Sequence, residues 1–153
     1  LYSASNTEDS IGVFTRNLTT GALTFLEVQE DGVGGVDGLR HTTGVAVTPD
    51  GNCVYGTSEI ENKVAVFSRP PATGALTFVQ VKEDGVGGVT GLKRPQAVLV
   101  SPDDKHIYVA AEDGPLPTIA AFSRTPPACT LTFIEARIDP SRYADQFDAI
   151  REL

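Results

Sequence analysis

The sequence predicts an all-β protein, a partial β-propeller of about three four-stranded antiparallel blades with a short C-terminal helix. Two observations support this fold class. The chain repeats itself at an offset of 53 positions, and each repeat holds short runs rich in β-branched and aromatic residues, separated by turn signals. Near-identical four-strand units are typical of propeller blades and not of β-sandwiches, so we expect one blade per repeat.

The repeat extends along most of the chain. Tyr2 aligns with Tyr55, and Tyr55 aligns with Tyr108. The decamer EDGVGGVDGL at 30–39 returns as EDGVGGVTGL at 83–92. A third, looser copy follows, displaced by a longer loop. Six phenylalanines recur at two positions per repeat, and we expect them to fill the layers between blades: Phe14, Phe25, Phe67, Phe78, Phe122 and Phe133.

The second repeat shows the four predicted strands most clearly. They are Gly44–Thr48, Cys53–Ser58, Val64–Arg69 and Leu76–Val81. A Pro-Asp-Gly turn at 49–51 follows the first run, where proline presets φ and glycine permits a tight reversal. The pattern is that of an antiparallel meander.

The predicted organisation is an incomplete propeller followed by a tail. The propeller covers 1–136, with blade 1 at about 1–29, blade 2 at about 44–82, blade 3 at about 95–136, and a tail at 137–153 with a helix over 141–153. At most eleven strands fit, and a propeller needs at least four blades to close. We therefore expect an open arc that associates with other blades of a longer parent chain or with itself.

Composition limits the partners. A net charge of −8 repels nucleic acid and anionic membrane surfaces. The visible chain has no apolar stretch that could span a bilayer and no signal peptide, so we expect a soluble protein whose compartment stays open. Cys53 and Cys129 lack the spacing of a zinc site, and their redox state is also left open.

Several runs resemble one known family. TPDGNCVYGTS at 48–58, VAVFSRPPATGALTF at 64–78 and SPDDKHIYVAAE at 101–112 are similar to repeats of the lactonase-type seven-bladed β-propellers. This family includes phosphogluconolactonase-like proteins and their YVTN-repeat relatives. The resemblance covers residues 1 to about 136 and is specific for the fold. It implies less about activity, because many members share only the blades.

The glycine-rich decamer allows three interpretations. A phosphate-binding loop needs a following helix and a lysine, whereas a strand is predicted here. A calcium site could use Asp31 and Asp37 in the first copy and Asp84 in the second, where threonine replaces the other acid. We favour a connector between blades, with glycines supplying positive φ, and expect no cofactor, calcium being the alternative.

Strand alternation predicts that loops 30–43, 58–63, 82–95 and 112–118 share one side of the arc. This acidic side could bind a small molecule or a protein. Four of its residues are candidates for catalysis: His41, Glu59, Arg94 and Glu112.

His41 and Arg94 occupy the same repeat position, just before the innermost strand. The resemblance implies a basic residue or histidine followed by proline at this position. Arg94, followed by Pro95, matches this pattern, whereas His41 is followed by Thr42. In a lactonase, histidine would activate water and arginine would bind an anion or a developing oxyanion. Alternatively, both are surface residues without chemical roles.

Two functions follow. The sequence favours a non-catalytic propeller module, a fragment of a larger binding or scaffold protein, because converging catalytic partners are not visible in it. The alternative is a fragment of a lactone hydrolase, a carboxylic ester hydrolase, with its site on the inter-blade loops. Whether the parent chain is an enzyme stays open, and we expect no catalysis from this stretch alone.

Overall fold

The computed structural model describes residues 1–113 and 116–138, and these residues form an all-β structure without helices. The described part of the chain thus contains no helix that could cross a membrane. The helix predicted over 141–153 lies outside the described residues. The strands are β1 (Tyr2–Ser5), β2 (Ser10–Arg16), β3 (Leu23–Glu30), β4 (Thr42–Val47), β5 (Cys53–Ser58), β6 (Lys63–Ser68), β7 (Thr77–Glu83), β8 (Pro95–Val100), β9 (His106–Asp113), β10 (Leu116–Ser123) and β11 (Thr132–Ile138).

The strands form three antiparallel sheets, and these are the predicted blades. Blade 1 has the order β1-β2-β3, blade 2 the order β4-β5-β6-β7, and blade 3 the order β8-β9-β10-β11. Each strand pairs with its neighbour in the chain, as a meander requires. The four strands predicted in the second repeat agree with β4 to β7 within two residues at every end. The partial-propeller prediction is confirmed.

The same β-bulge recurs in every blade. Its extra residue lies in the outermost strand: Leu26 in blade 1, Val79 in blade 2 and Ile134 in blade 3. In each blade the register shift falls just before the phenylalanine of the third strand of the repeat. Each bulge pairs a phenylalanine with another on the outer strand, edge to face, with ring centroids 5.8, 5.7 and 5.5 Å apart: Phe14–Phe25, Phe67–Phe78 and Phe122–Phe133.

Blade 2 is buried on both faces. All six residues of β5 are buried, and so are the four central residues of β6. Alternate side chains of these strands enter two apolar clusters, one on each side of the blade. Towards blade 1 the cluster includes Val54, Ala65, Phe67, Ile11 and Leu39. Towards blade 3 it includes Tyr55, Val64, Val66, Ile107 and Phe122.

The innermost strands of blades 2 and 3 approach each other closely. Thr43 Oγ1 donates a hydrogen bond to Pro95 O at 2.7 Å. A Cβ added to Gly44 would lie 3.2 Å from Ala97 Cα, so a side chain at this position would press on the neighbouring backbone. This approach brings the residues that precede β4 and β8 close together.

The two outer blades leave apolar side chains exposed. Phe25 in blade 1 is 60% exposed, and Leu99 and Ile119 in blade 3 are 68% and 47% exposed. The expectation that all six phenylalanines are core is therefore wrong for Phe25. Its ring lies on the side of blade 1 that no described residue covers, whereas Phe67 and Phe122 lie at packed boundaries and are fully buried.

Candidate functional site

The connectors between blades meet the turns between the second and third strands on one side of the arc. Asp31 N, at the start of the first connector, donates to Asp9 O at 2.9 Å. Asp84 N, at the start of the second, donates to Asn62 O at 3.0 Å. These bonds join equivalent positions in successive repeats. We call this side, formed by residues 6–9, 31–41, 59–62, 84–94 and 112, the loop face.

The glycine-rich decamers form the connectors themselves. Asp31 Oδ1 accepts a hydrogen bond from Leu39 N at 3.0 Å, and Asp84 Oδ1 accepts one from Leu92 N at 3.0 Å. Both carboxylates thus hold their own loops. A strand follows each decamer, so the helix that a phosphate-binding loop requires is not present there. Positive φ occurs at four glycines of the first copy: Gly32, Gly34, Gly35 and Gly38.

Two of the candidate residues, His41 and Arg94, contact a third, Glu59, on the loop face. His41 Nδ1 lies 2.7 Å from Glu59 Oε2, an ion-pair distance without aligned hydrogen-bond geometry. Arg94 donates to the other oxygen, Glu59 Oε1, from Nη2 at 3.0 Å and from Nε at 3.3 Å. One carboxylate therefore contacts the imidazole and the guanidinium, each through a different oxygen.

Glu112 extends this arrangement towards blade 3. Its Oε2 lies 3.5 Å from Arg94 Nη1. Glu59 and Glu112 are equivalent in the repeat, as are His41 and Arg94. A basic residue and a carboxylate thus alternate along the loop face, and we call these four residues the charged row. All four catalytic candidates named from the sequence lie in it.

The electrostatics of the charged row centre on Glu59. Hydrogen bonding from Arg94 lowers the pKa of the Glu59 carboxyl against the effect of burial, and Gln96 and His41 lower it further. The side chain of Glu59 is 17% exposed, that of His41 36% and that of Arg94 60%. The Glu59 carboxylate is thus less exposed to solvent than the His41 and Arg94 side chains that contact it. These two can exchange a proton with a ligand and bind an anion.

The backbone of the charged row is strained at two points. His41 has φ of 55° and Arg94 has φ of 51°. This left-handed region disfavours residues with a Cβ, at a cost of about 1–2 kcal/mol each. Such conformations concentrate at functional sites, where surrounding contacts hold them.

The calcium alternative named Asp31, Asp37 and Asp84. Ligand atoms of Asp31, Asp37 and Glu61 lie within 4.8 Å of one another, while Asp84 is not part of this group. Lys63 Nζ lies 2.7 Å from Asp37 Oδ1 and 3.5 Å from Glu61 Oε1. Calcium takes six to eight oxygen ligands, and here an ammonium group already neutralises two of the carboxylates. A calcium site stays a prediction of the sequence.

Sequence reasoning missed a buried ion pair on the side opposite the loop face. The Arg124 side chain is fully buried, with Nη2 2.7 Å from Asp50 Oδ2 and Nη1 2.7 Å from Asp104 Oδ1. Its Nε donates to Ala128 O at 3.1 Å. Because Asp50 precedes β5 and Asp104 precedes β9, the contact joins blades 2 and 3. A visible signal was the arginine at equivalent positions of each repeat: Arg16, Arg69 and Arg124.

A disulfide joins the same two blades. Cys53, the first residue of β5, is bonded to Cys129 in the turn before β11, with Cα atoms 5.4 Å apart. Both cysteines are buried. The redox state that the sequence left open is therefore the disulfide in this structure.

Comparison with known proteins gives one family. The family described as "Lactonase, 7-bladed beta-propeller" matches residues 33–139, a range that includes the whole charged row. No curated protein sequence matches the chain significantly.

Solved structures give matches to the same fold. A candidate 6-phosphogluconolactonase of Bacteroides fragilis superimposes with a TM-score of 0.70 at 20% identity, covering 90% of this chain and 38% of that one. A periplasmic gluconolactonase of Pseudomonas aeruginosa has a TM-score of 0.67 at 21% identity, and the match covers 88% of this chain and 35% of that one. Hydrazine synthase of Kuenenia stuttgartiensis has a TM-score of 0.62 at 16% identity, and the match covers 90% of this chain and 33% of that one. Likeness at these identities shows the fold alone, and the chain spans about a third of each structure.

Proposed function

The chain belongs to the seven-bladed lactonase β-propeller family, and from this premise we propose that it forms part of a lactone hydrolase whose reacting groups are in the charged row. The family match favours this function over the non-catalytic module that the sequence alone favoured. Likeness of fold does not by itself favour a hydrolase, because the same fold occurs in hydrazine synthase.

The observation that carries the proposal is the double contact of Glu59. Lactone hydrolysis needs a base for water and a positive group for the oxygen that gains charge. His41 and Arg94 are groups of these two types, and one carboxylate fixes them relative to each other. They lie just before the innermost strands of adjacent blades, so a ligand at the mouth of a closed ring would meet both.

The reaction assigns one role to the His41 imidazole and another to the Arg94 guanidinium. His41 Nε2 removes a proton from water while the water oxygen attacks the lactone carbonyl carbon. The carbonyl oxygen takes the electron pair and is stabilised by Arg94. When the intermediate collapses, the ring C–O bond breaks and the imidazolium returns its proton to the ring oxygen. Water and lactone have then become one hydroxy acid.

Glu59 is a positioning residue in this scheme. Hydrogen bonding from Arg94 lowers its pKa, which makes the carboxylate a poorer base and a stable anion. Glu112 acts on Arg94 from the other side, at 3.5 Å. Because the guanidinium is well exposed, we propose that the preferred substrate is a sugar lactone with an anionic group.

The proposal is tested by hydrolysis of neutral and phosphorylated sugar lactones by the full natural chain. We expect His41→Asn to lower kcat by about 10²–10⁴-fold, the usual contribution of a general base. Arg94→Ala should lower kcat for both lactones, because the developing oxyanion loses its donor, and should raise KM for the phosphorylated lactone more than for the neutral one. The matched controls are His106→Asn, on the opposite side, and Arg40→Ala, an exposed arginine of the first connector beside His41. A wild-type protein without lactonase activity would overturn the proposal.

A further inference from the structure

We propose that Asp9 and Asn62 are positioning residues that hold His41 and Arg94 in place, an inference that rests on the proposed hydrolase. Asp9 Oδ1 accepts a hydrogen bond from His41 N at 2.7 Å. Asn62 Oδ1 accepts one from Arg94 N at 2.8 Å. Each acceptor lies one blade earlier than the residue it holds, and the two contacts are equivalent in the repeat.

Each of these two residues ties both ends of a connector. The backbone oxygen of Asp9 accepts from Asp31 N, where the first connector starts, and its side chain accepts from His41 N, where that connector ends. Asn62 does the same for the second connector, between Asp84 and Arg94. The preceding blade thus fixes the position of the last residue of each connector, which is His41 in the first and Arg94 in the second.

The acceptors explain how the strained backbone is held. Five non-glycine residues of the described chain have positive φ, and four of them are the two pairs Asp9–His41 and Asn62–Arg94. Asp and Asn tolerate this region better than most residues do. His41 and Arg94 carry longer side chains in this region, and without the acceptor the backbone of His41 would gain by returning to negative φ. That change would turn its Cα–Cβ bond and move the ring away from Glu59.

Equivalent hydrogen bonds hold a histidine in one connector and an arginine in the other, so loss of the two acceptors should affect different kinetic constants. Asp9 holds the proposed base, and its loss should lower kcat. Asn62 holds the arginine that binds the anionic group as well as the oxyanion, so only its loss should raise KM for an anionic lactone, whatever the change in kcat. A residue that served stability alone would change neither quantity selectively.

The removal variants are Asp9→Gly and Asn62→Gly, because glycine adopts positive φ freely and only the acceptor is lost. The matched controls exchange the two natural residues, Asp9→Asn and Asn62→Asp, and keep an acceptor oxygen. With a phosphorylated sugar lactone and the full natural chain, Asp9→Gly should lower kcat by about tenfold or more, with KM changed less than about twofold. Asn62→Gly should raise KM by about tenfold, a typical effect for one charge-assisted contact.

A second readout does not depend on activity. The chain has two histidines, so the ring signals of His41 and His106 can be compared in the same NMR spectrum. Asp9→Gly should shift the His41 signals and leave those of His106 unchanged, and Asp9→Asn should restore them. If the wild type hydrolyses no lactone, the proposed function fails, and these signals still decide whether Asp9 positions the ring.

Two results would overturn the inference: unchanged His41 signals in Asp9→Gly, or equal changes of kcat and KM in both glycine variants. Should Asp9→Gly not fold, as judged by circular dichroism, the comparison of Asn62→Gly with Asn62→Asp decides alone. An unchanged KM in a folded Asn62→Gly variant would then reject the proposal.

Discussion

Arg124 Nη2 lies 2.7 Å from Asp50 Oδ2, across the boundary between blades 2 and 3. The guanidinium is fully buried, and its Nη1 makes an equally short contact with Asp104. A buried charge without its partner is costly, because the protein interior cannot solvate it. The ion pair therefore stabilises the packing of two blades only as long as all of its members are present.

Replacing Arg124 should destabilise the protein strongly. We expect Arg124→Met to lower the free energy of unfolding by about 3–5 kcal/mol, since two carboxylates lose their common partner. Urea unfolding followed by circular dichroism measures this change. Arg137→Met is the matched control, because Arg137 is 76% exposed and forms a surface ion pair with Glu135. Equal effects of the two substitutions would contradict the assignment.

Stability should fall in acid partly through Asp50. Burial alone raises the pKa of Asp50, but hydrogen bonds from Arg124, Thr48 and the Asn52 backbone outweigh it and hold the pKa well below its ordinary value. A carboxyl whose pKa is lowered by folding contributes stability above its ordinary pKa of about 3.9. That contribution is lost as the pH falls through the folded-state value.

The test compares the wild type with Asp50→Asn between about pH 5 and pH 2, a window that begins above the ordinary carboxyl pKa and extends towards the lowered folded-state pKa. The free energy of unfolding should decline less steeply in the variant. Asp104 offsets a part of the decline, because burial and the Asp50 charge raise its pKa despite Arg124. Parallel curves for the two proteins would show that Asp50 is not the titrating group.

The disulfide between Cys53 and Cys129 should contribute measurably to stability. It closes a loop with a sequence separation of 76, and constraining the unfolded chain in this way is typically worth about 2–5 kcal/mol. We expect the double variant Cys53→Ala/Cys129→Ala to unfold at lower urea concentration. Alkylation of the unreduced, denatured wild type should label no thiol by mass spectrometry. Two labelled thiols would contradict the disulfide.

The strands could be predicted from the sequence because their signals are local. Short runs of β-branched and aromatic residues between turn signals marked the strands of blade 2, and Cys53–Ser58 matched at both ends. The charged row was partly predictable for a different reason. Repeat equivalence and strand alternation placed Glu59 and Arg94 on the same side, but the distance between their side chains depends on how blades pack.

The contacts between blades could not be predicted. Arg124 is 74 residues away from Asp50 in the chain, and no local pattern identifies its partners. The two cysteines are separated by 76 residues and lack a recognisable motif. Phe25 shows the same limit, since its position in the repeat is that of the partly buried Phe78 and Phe133, yet burial depends on a neighbouring blade.

Self-association of the isolated chain stays a prediction of the open arc. Blade 3 exposes Leu99 and Ile119 on its uncovered face. We expect Leu99→Lys and Ile119→Lys to lower the apparent mass in light scattering, because they place a charge in an apolar contact. Ile60→Lys, an exposed turn residue of the loop face, is the control. Chains with and without residues 140–153 should be compared, and a stable monomer in both forms would refute the prediction.

A double-mutant cycle of His41→Asn and Glu59→Gln, followed by kcat/KM for lactone hydrolysis in the full natural chain, tests the central claim most directly. The claim is that Glu59 acts through His41 and Arg94 as one unit. Either single variant should lose about 10²-fold or more, the range of a positioned general base. The double variant should lose little beyond the larger single effect, because the residues depend on each other. Losses that multiply, or an unchanged rate in Glu59→Gln, would contradict the account.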